Sequence, residues 1–217
     1  MINLRSQDIA NLDNIEFHIV GCGAIGSSVA IQLTRLGGNN FHLYDFDKVE
    51  IQNVGVSQYD ELDIGLPKVG ALIKHMKRIN ILIKVEGIID RFKHYKGTKE
   101  GILILGLDSM NARKEIVKIL SEHPDKPKTV IDGRMGAEHY QQYIYDNITM
   151  AKYEKNWYSD EDSDQEPCTR KATSYCSNMS GSFIANAAKN IVMKQPYFKE
   201  ISFNFSTLIL DKKKLVS

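Results

Sequence analysis

An α/β fold with a mainly parallel sheet and helices on both faces is what this sequence predicts. Three observations carry the prediction. A short apolar run passes through a glycine turn into a helical pattern, strands and helices alternate as far as Ile131, and apolar residues in the C-terminal third alternate like antiparallel strands.

The first strand is Phe17-His18-Ile19-Val20, followed by Gly21-Cys22-Gly23-Ala24-Ile25-Gly26 and a helix whose apolar residues recur through Leu33 until Gly37-Gly38 stops it. Phe41 to Tyr44 makes a second strand closed by Asp45, completing a βαβ unit. After a polar stretch, Pro67 opens a helix over Lys68 to Ile79, because proline fits the first turn, where its missing N–H costs nothing. Leu82 to Ile88 and Ile102 to Leu105 read as the third and fourth strands, a helix covers Met110 to Leu120, and Thr129 to Ile131 is the fifth strand. With right-handed crossovers this is a Rossmann-like arrangement, whose ligand crevice lies at the carboxyl ends of the strands, near Gly21 to Gly26.

From His139 the pattern changes. Tyr140 to Tyr145 and Ile201 to Leu210 read as antiparallel strands extending the sheet, with a helix from Ser174 to Met193 between them. Tyr153 to Arg170 is acidic and poor in apolar residues, so about 153–170 reads as a mobile surface loop. Residues 1–217 are expected to form a single domain.

Composition narrows the function classes. With 42% hydrophobic and 25% charged residues the chain is of ordinary globular type, and a net charge of +1 supplies no basic field for nucleic acid or an anionic membrane. The apolar runs are far shorter than the roughly 20 residues of a membrane span. Three cysteines, Cys22, Cys168 and Cys176, with no secretory-type N-terminus, point to a reduced, cytoplasmic setting. His75 and His94 read as lone surface residues, Cys22 as a packing residue and Cys176 as buried in its helix.

In Gly21-x-Gly23-x-x-Gly26 the first glycine allows the tight turn, the second lets backbone approach a phosphate and the third packs helix on strand. Free amides at the helix start, around Ala24 and Ile25, favour phosphate, and Asp45 at the next strand end suits ribose hydroxyls. An adenosine nucleotide is the natural ligand. The same residues are compatible with an NAD-dependent oxidoreductase, or with a glycine turn that only packs a helix.

Asp45-Phe46-Asp47-Lys48-Val49-Glu50-Ile51-Gln52-Asn53 resembles the Asp-x-Asp-x-Val-x-x-x-Asn signature of the ThiF/MoeB/HesA family of ubiquitin-activating-like adenylyltransferases. Gly65-Leu66-Pro67-Lys68-Val69 resembles the family's Gly-x-x-Lys element, and Asp108 to Arg113 its Asp-x-x-x-x-Arg segment. Asp132-Gly133-Arg134-Met135-Gly136 is similar to an element of the small ThiF-like proteins of phage and mobile elements, which are a closer likeness still.

The resemblance implies ATP and Mg²⁺ as cofactors, and adenylylation of the C-terminal carboxylate of a ubiquitin-like protein, sulfur carrier or peptide by a homodimeric enzyme. It implies that Asp45 holds ribose, Asp47 belongs to the nucleotide site, Asn53 and Lys68 contact the triphosphate, and Asp108 positions Mg²⁺ and the reacting phosphate. Arg113 would support the site or make a local salt bridge. Arg134 would bind the incoming tail or a phosphate, or be structural.

The family arginine after the asparagine is missing from Asn53-Val54-Gly55-Val56-Ser57-Gln58, and the resemblance implies that Gln58 keeps the role of the family's glutamine. Arg5 resembles the N-terminal arginine that relatives supply across a dimer interface. That gap also leaves open a non-catalytic, ATP-binding scaffold. Two Cys-x-x-Cys pairs, from which many relatives build a structural zinc site, are not in this sequence, so no zinc is expected. Cys168, beside Arg170 and Lys171, whose charge favours thiolate, resembles a crossover-loop cysteine able to accept an acyl group.

Overall fold

The computed structural model describes residue 5, residues 8–160 and residues 172–216. Its centre is an eight-stranded sheet in the order β3-β2-β1-β4-β5-β6-β7-β8. The first five strands are β1 (Glu16–Val20), β2 (Asn40–Tyr44), β3 (Lys84–Ile88), β4 (Ile102–Leu105) and β5 (Thr129–Gly136). They pair parallel, while β6 (His139–Asp146), β7 (Tyr197–Asn204) and β8 (Ile209–Val216) continue antiparallel. Strand order reverses between β1 and β4, which is where an open α/β sheet leaves its crevice.

Period-two alternation splits the sheet's apolar residues between two cores. Phe17, Ile19, Phe41, Leu43, Ile104 and Ile131 face a layer made by α1 (Ala24–Arg35), α3 (Lys68–Ile79) and α6 (Ser174–Val192). Val20, Tyr44, Leu103, Leu105 and Val130 face α4 (Met110–Glu122), α5 (Met150–Tyr153) and the Phe92–Tyr95 segment. Because β4 is covered on both faces it reads as a continuous apolar run, and β1 and the first residues of β5 read nearly so, which is why these strands were visible in the sequence.

Several expectations are corrected. Ile201 to Leu210 is not one strand: β7 ends at Asn204 and β8 begins at Ile209, so the shared alternation is that of a hairpin. The third strand begins at Lys84, because Ile81 and Leu82 are exposed in a turn. β5 runs on to Gly136, which places Asp132 and Arg134 inside the sheet. The polar stretch before Pro67 holds the short helix α2 (Ile51–Val54) and a 3-10 turn at Glu61–Asp63. Within 153–170, Glu154–Asn156 is a 3-10 turn and Asp160 is bonded to α4, whereas 161–170 lies outside the described residues. No helix among the described residues is long and apolar enough to cross a membrane.

Candidate nucleotide site

Gly21 leaves β1 with a φ of +87°, and a Cβ there would meet the Gly106 carbonyl oxygen at 2.9 Å, where the chains leaving β1 and β4 cross. At Gly26 a Cβ would lie 1.8 Å from the Gly21 carbonyl oxygen, so α1 can start against the turn only with glycine. Around Gly23 there is open space, as backbone approach to a phosphate requires. Ala24 and Ile25 form the first turn of α1, whose free amides suit an anion.

Asp45 stands over this turn. Its Oδ2 accepts from the Cys22 amide at 2.7 Å and its Oδ1 from the Asp47 amide at 2.8 Å. Burial pushes the Asp45 carboxyl above its ordinary pKa, and those two amides with Lys68 only partly oppose it.

Lys68, the first residue of α3, is placed by backbone and side chain together. Its amide donates to the Asp47 carbonyl at 2.9 Å, and its Nζ lies 2.8 Å from Asp47 Oδ2. Tyr59 donates its hydroxyl to the Cys22 carbonyl at 2.6 Å and reaches the Lys68 carbonyl at 3.3 Å, tying the glycine turn to α3. Burial alone would depress the Lys68 ammonium. The Asp47 hydrogen bond and the charges of Asp45, Asp47 and Asp108 outweigh it and hold its pKa above the ordinary lysine value.

Asp108 follows β4, exposed and near enough to act on Lys68. It is not the cap of α4. That is Ser109, whose Oγ accepts from the Ala112 amide at 3.1 Å, leaving the Asp108 carboxylate for other partners. A second carboxylate sits at the same helix end: Asp160 accepts from the Met110 amide at 2.6 Å, the Asn111 amide at 3.0 Å and Ser109 Oγ at 2.9 Å. Trp157 donates to the Met110 carbonyl at 3.0 Å and fastens the same segment to α4.

The other candidate residues are more distributed. Asn53 Oδ1 accepts from the Glu50 amide at 2.9 Å and so shapes α2, leaving the NH₂ of that side chain to reach a ligand. Gln58 is anchored to α1 and α6, its amide to Ser27 Oγ at 3.1 Å and its Nε2 to Asn178 Oδ1 at 2.7 Å. Ser177 Oγ donates to the Ala24 carbonyl at 2.8 Å, so the start of α6 borders the glycine turn. Arg5 is exposed in the N-terminal segment and is not part of this chain of contacts. Cys168 lies outside the described residues, with its neighbours Arg170 and Lys171.

Two arginines have structural positions. Arg113 pairs with the buried Asp132 and donates to the Leu107 carbonyl, bracing the segment that carries Asp108. Arg134 reaches Asp132 Oδ2 through Nη2 at 2.7 Å, donates to the Asn156 carbonyl at 2.6 Å and stacks on Tyr143. Of the two readings open for Arg134, its burial among these groups supports the structural one. Cys22 and Cys176 are both buried, and burial pushes the Cys176 thiol up to about 12, as inert packing cysteines require. His75 is not a lone surface residue: it is half-buried and bonded to Asp63.

Sequence reasoning missed Tyr59, Asn178 and the capping role of Asp160. The first two act through partners far along the chain, and the third looked like one more acid in an acidic loop.

The ThiF family model matches residues 2–212. The chain belongs to the ThiF family. It is 34% identical over 122 residues to ubiquitin-like modifier-activating enzyme 5 of Dictyostelium discoideum, covering 49% of this chain and 32% of that protein. Against the mouse (Mus musculus) enzyme 5 the identity is 32% over 114 residues, 45% of this chain and 28% of that one. The chain thus spans about a third of the length of these curated relatives. A crystal structure of E. coli MccB with ATP superposes with a TM-score of 0.72 at 18% identity, covering 96% of this chain and 65% of that one. The corresponding values for PaaA are 0.71, 16%, 94% and 64%. At such identities the superpositions establish the shared fold of this ThiF-family chain.

Proposed function

We propose that this chain binds ATP in the crevice between β1 and β4 and adenylylates the C-terminal carboxylate of a ubiquitin-like protein, sulfur carrier or peptide. One observation carries the reading: the Gly21 turn, Asp45, Lys68 and Asp108, far apart in sequence, meet at the switch point of the sheet. Membership of the family supports it, as does the likeness to proteins named as ubiquitin-like modifier-activating enzymes and to MccB, crystallised with ATP and with MccA.

In this reading Asp45 accepts from the ribose hydroxyls, and the amides following Gly23 meet the phosphates. Lys68 exchanges its Asp47 partner for phosphate oxygens, joined by the Asn53 NH₂. Asp108 is the side chain that would hold Mg²⁺ together with the phosphates, since that ion takes one or two carboxylates beside its phosphate ligands. The ion, when bound, neutralises charge on the departing pyrophosphate. A carboxylate oxygen of the substrate bonds to the α-phosphorus, the bond to the bridging oxygen breaks, and pyrophosphate leaves with that electron pair. The positive charge of Lys68 beside the α-phosphate offsets the charge that develops there.

The run from Asn53 to Gln58 holds no arginine to supply the positive charge that the family resemblance leads one to expect there, and this favours, as the second reading, an ATP-binding member that does not catalyse. Residues 1–217 are taken as a single ThiF-type domain acting as a cytoplasmic homodimer. Arg5 comes from the partner subunit in that arrangement, and Cys168 is a candidate acyl acceptor after the adenylate. The test is ATP–pyrophosphate exchange with Mg²⁺ and a panel of diglycine-ended carriers and peptides, comparing wild type with Asp108→Ala. Carrier-dependent exchange lost in the variant supports adenylylation; ATP binding without exchange supports the second reading; no ATP binding overturns both.

A further inference from the structure

The glycine turn is held by a residue to which the proposed reaction gives no part. Tyr59 is buried in the apolar core on the α1, α3 and α6 side of the sheet, and its hydroxyl donates to the Cys22 carbonyl at 2.6 Å. Burial pushes this phenol far above the ordinary tyrosine range, so at neutral pH it keeps its proton and can only donate to a carbonyl.

The backbone on both sides of Tyr59 is anchored. The Gln58 amide donates to Ser27 Oγ on α1 at 3.1 Å, and the Asp60 amide donates to Asp63 Oδ2 at 3.1 Å. The second carbonyl within reach of the hydroxyl, at 3.3 Å, is that of Lys68 at the start of α3. Both acceptors therefore belong to the proposed triphosphate site.

Cys22 is pinned at both ends. Its amide donates to Asp45 Oδ2 at 2.7 Å, and its carbonyl accepts from Tyr59. The Gly21 amide just before it donates to the Tyr44 carbonyl at 2.9 Å. The Cys22–Gly23 peptide is trans and planar, so its C=O and N–H point in opposite directions. Fixing the Cys22 carbonyl toward the Tyr59 hydroxyl thus turns the Gly23 N–H away from the core, on the side of the turn where Gly23 has open space. Gly23 is the cap of α1, so this amide joins those of Ala24 and Ile25 at the helix end that favours an anion. A donor already aimed costs no reorientation when a phosphate arrives.

We propose that Tyr59 is the positioning residue of the phosphate turn: by holding the Cys22 carbonyl it aims the Gly23 amide at a phosphate of the bound nucleotide. This rests on the nucleotide site proposed above and adds one donor to it. Tyr59 touches no ligand, so loss of its hydroxyl falls on phosphate binding. Ribose binding is spared, because Asp45 is held by the Cys22 and Asp47 amides, contacts that the hydroxyl does not make.

The experiment compares wild type with Tyr59→Phe, which keeps the ring and removes only the oxygen. Calorimetry follows ATP with Mg²⁺ and tripolyphosphate, and ligand-observed NMR follows adenosine. ATP and tripolyphosphate should bind the variant about 10- to 100-fold more weakly, the scale of losing a well-aligned hydrogen bond to a charged group, and adenosine equally well. In wild type carrying isotope-labelled glycine, tripolyphosphate should shift the Gly23 amide signal, identified by its absence from Gly23→Ala; this measurement needs no Tyr59 variant. Equal ATP affinity in the two proteins overturns the proposal and leaves the nucleotide site standing. Equal losses for ATP and adenosine overturn it as well, since they mark Tyr59 as general support of the fold. So does a Gly23 signal unmoved in a wild type that binds tripolyphosphate. A wild type that binds neither ATP nor tripolyphosphate overturns the proposal together with the nucleotide site on which it rests.

Discussion

The Lys68 ammonium lies 2.8 Å from the Asp47 carboxylate while the Lys68 amide donates to the Asp47 carbonyl, so one aspartate holds both ends of the residue. Lysine at the start of a helix is ordinarily a solvated side chain. Here the backbone contact fixes the start of α3 beside the glycine turn, and replacing the ammonium would break only its side-chain contact with Asp47. Lys68→Ala should lower pyrophosphate exchange by about 100- to 1000-fold, the scale of losing one positioned transition-state donor, with circular dichroism unchanged. Exchange within a fewfold of wild type would remove Lys68 from the site.

Asp108 and Ser109 are adjacent but separable. Because Ser109 caps α4, Asp108→Ala should abolish exchange and leave the unfolding midpoint nearly unchanged. Ser109→Ala should instead cost about 1 kcal/mol of stability in denaturant titration. The reverse pattern would mean that Asp108 is structural.

Gly26 tolerates no Cβ, since the nearest atom would be the Gly21 carbonyl oxygen at 1.8 Å. Gly26→Ala should displace α1 from the turn, costing on the order of 1–3 kcal/mol, and should weaken nucleotide binding measured by calorimetry. Gly23→Ala, with open space around it, should leave stability almost unaltered.

Asp160 has its pKa lowered: burial acts to raise it, but the Asn111 and Met110 amides, the Ser109 hydroxyl and the charge of Arg113 prevail. A carboxyl depressed on folding stabilises the protein above its unfolded pKa, about 3.9, and that contribution is lost as pH falls through the folded value. Asp160→Asn should therefore lower the unfolding midpoint near neutrality and flatten its decline below about pH 4. Parallel wild-type and variant curves would contradict the assignment.

Asp132 is buried between Arg113 and Arg134, whose charges hold it ionised although burial opposes that. Asp132→Ala leaves two buried guanidinium groups uncompensated and should cost about 3–5 kcal/mol, measured by urea unfolding. A cost below about 1 kcal/mol would show that the arginines find other partners.

What the sequence determined by itself is local. The turn from Gly21 to Gly26, the helix over Lys68 to Ile79 and the strand over Ile102 to Leu105 follow from periodicity, glycine and proline, which act within a few residues. The acids and lysine of the proposed nucleotide site stood out because they belong to short ordered motifs. Only the tertiary structure decided which distant groups meet. Strand register stacks His18 on His42, and the Tyr59 hydroxyl ties Cys22 to Lys68. Asp160 closes the end of α4 from an acidic stretch, and Asn204 and Ile209 face each other across a turn that an alternating pattern runs straight through. A period of two says which face a residue takes but not which strand lies beside it. That choice is made by long-range packing and pairing.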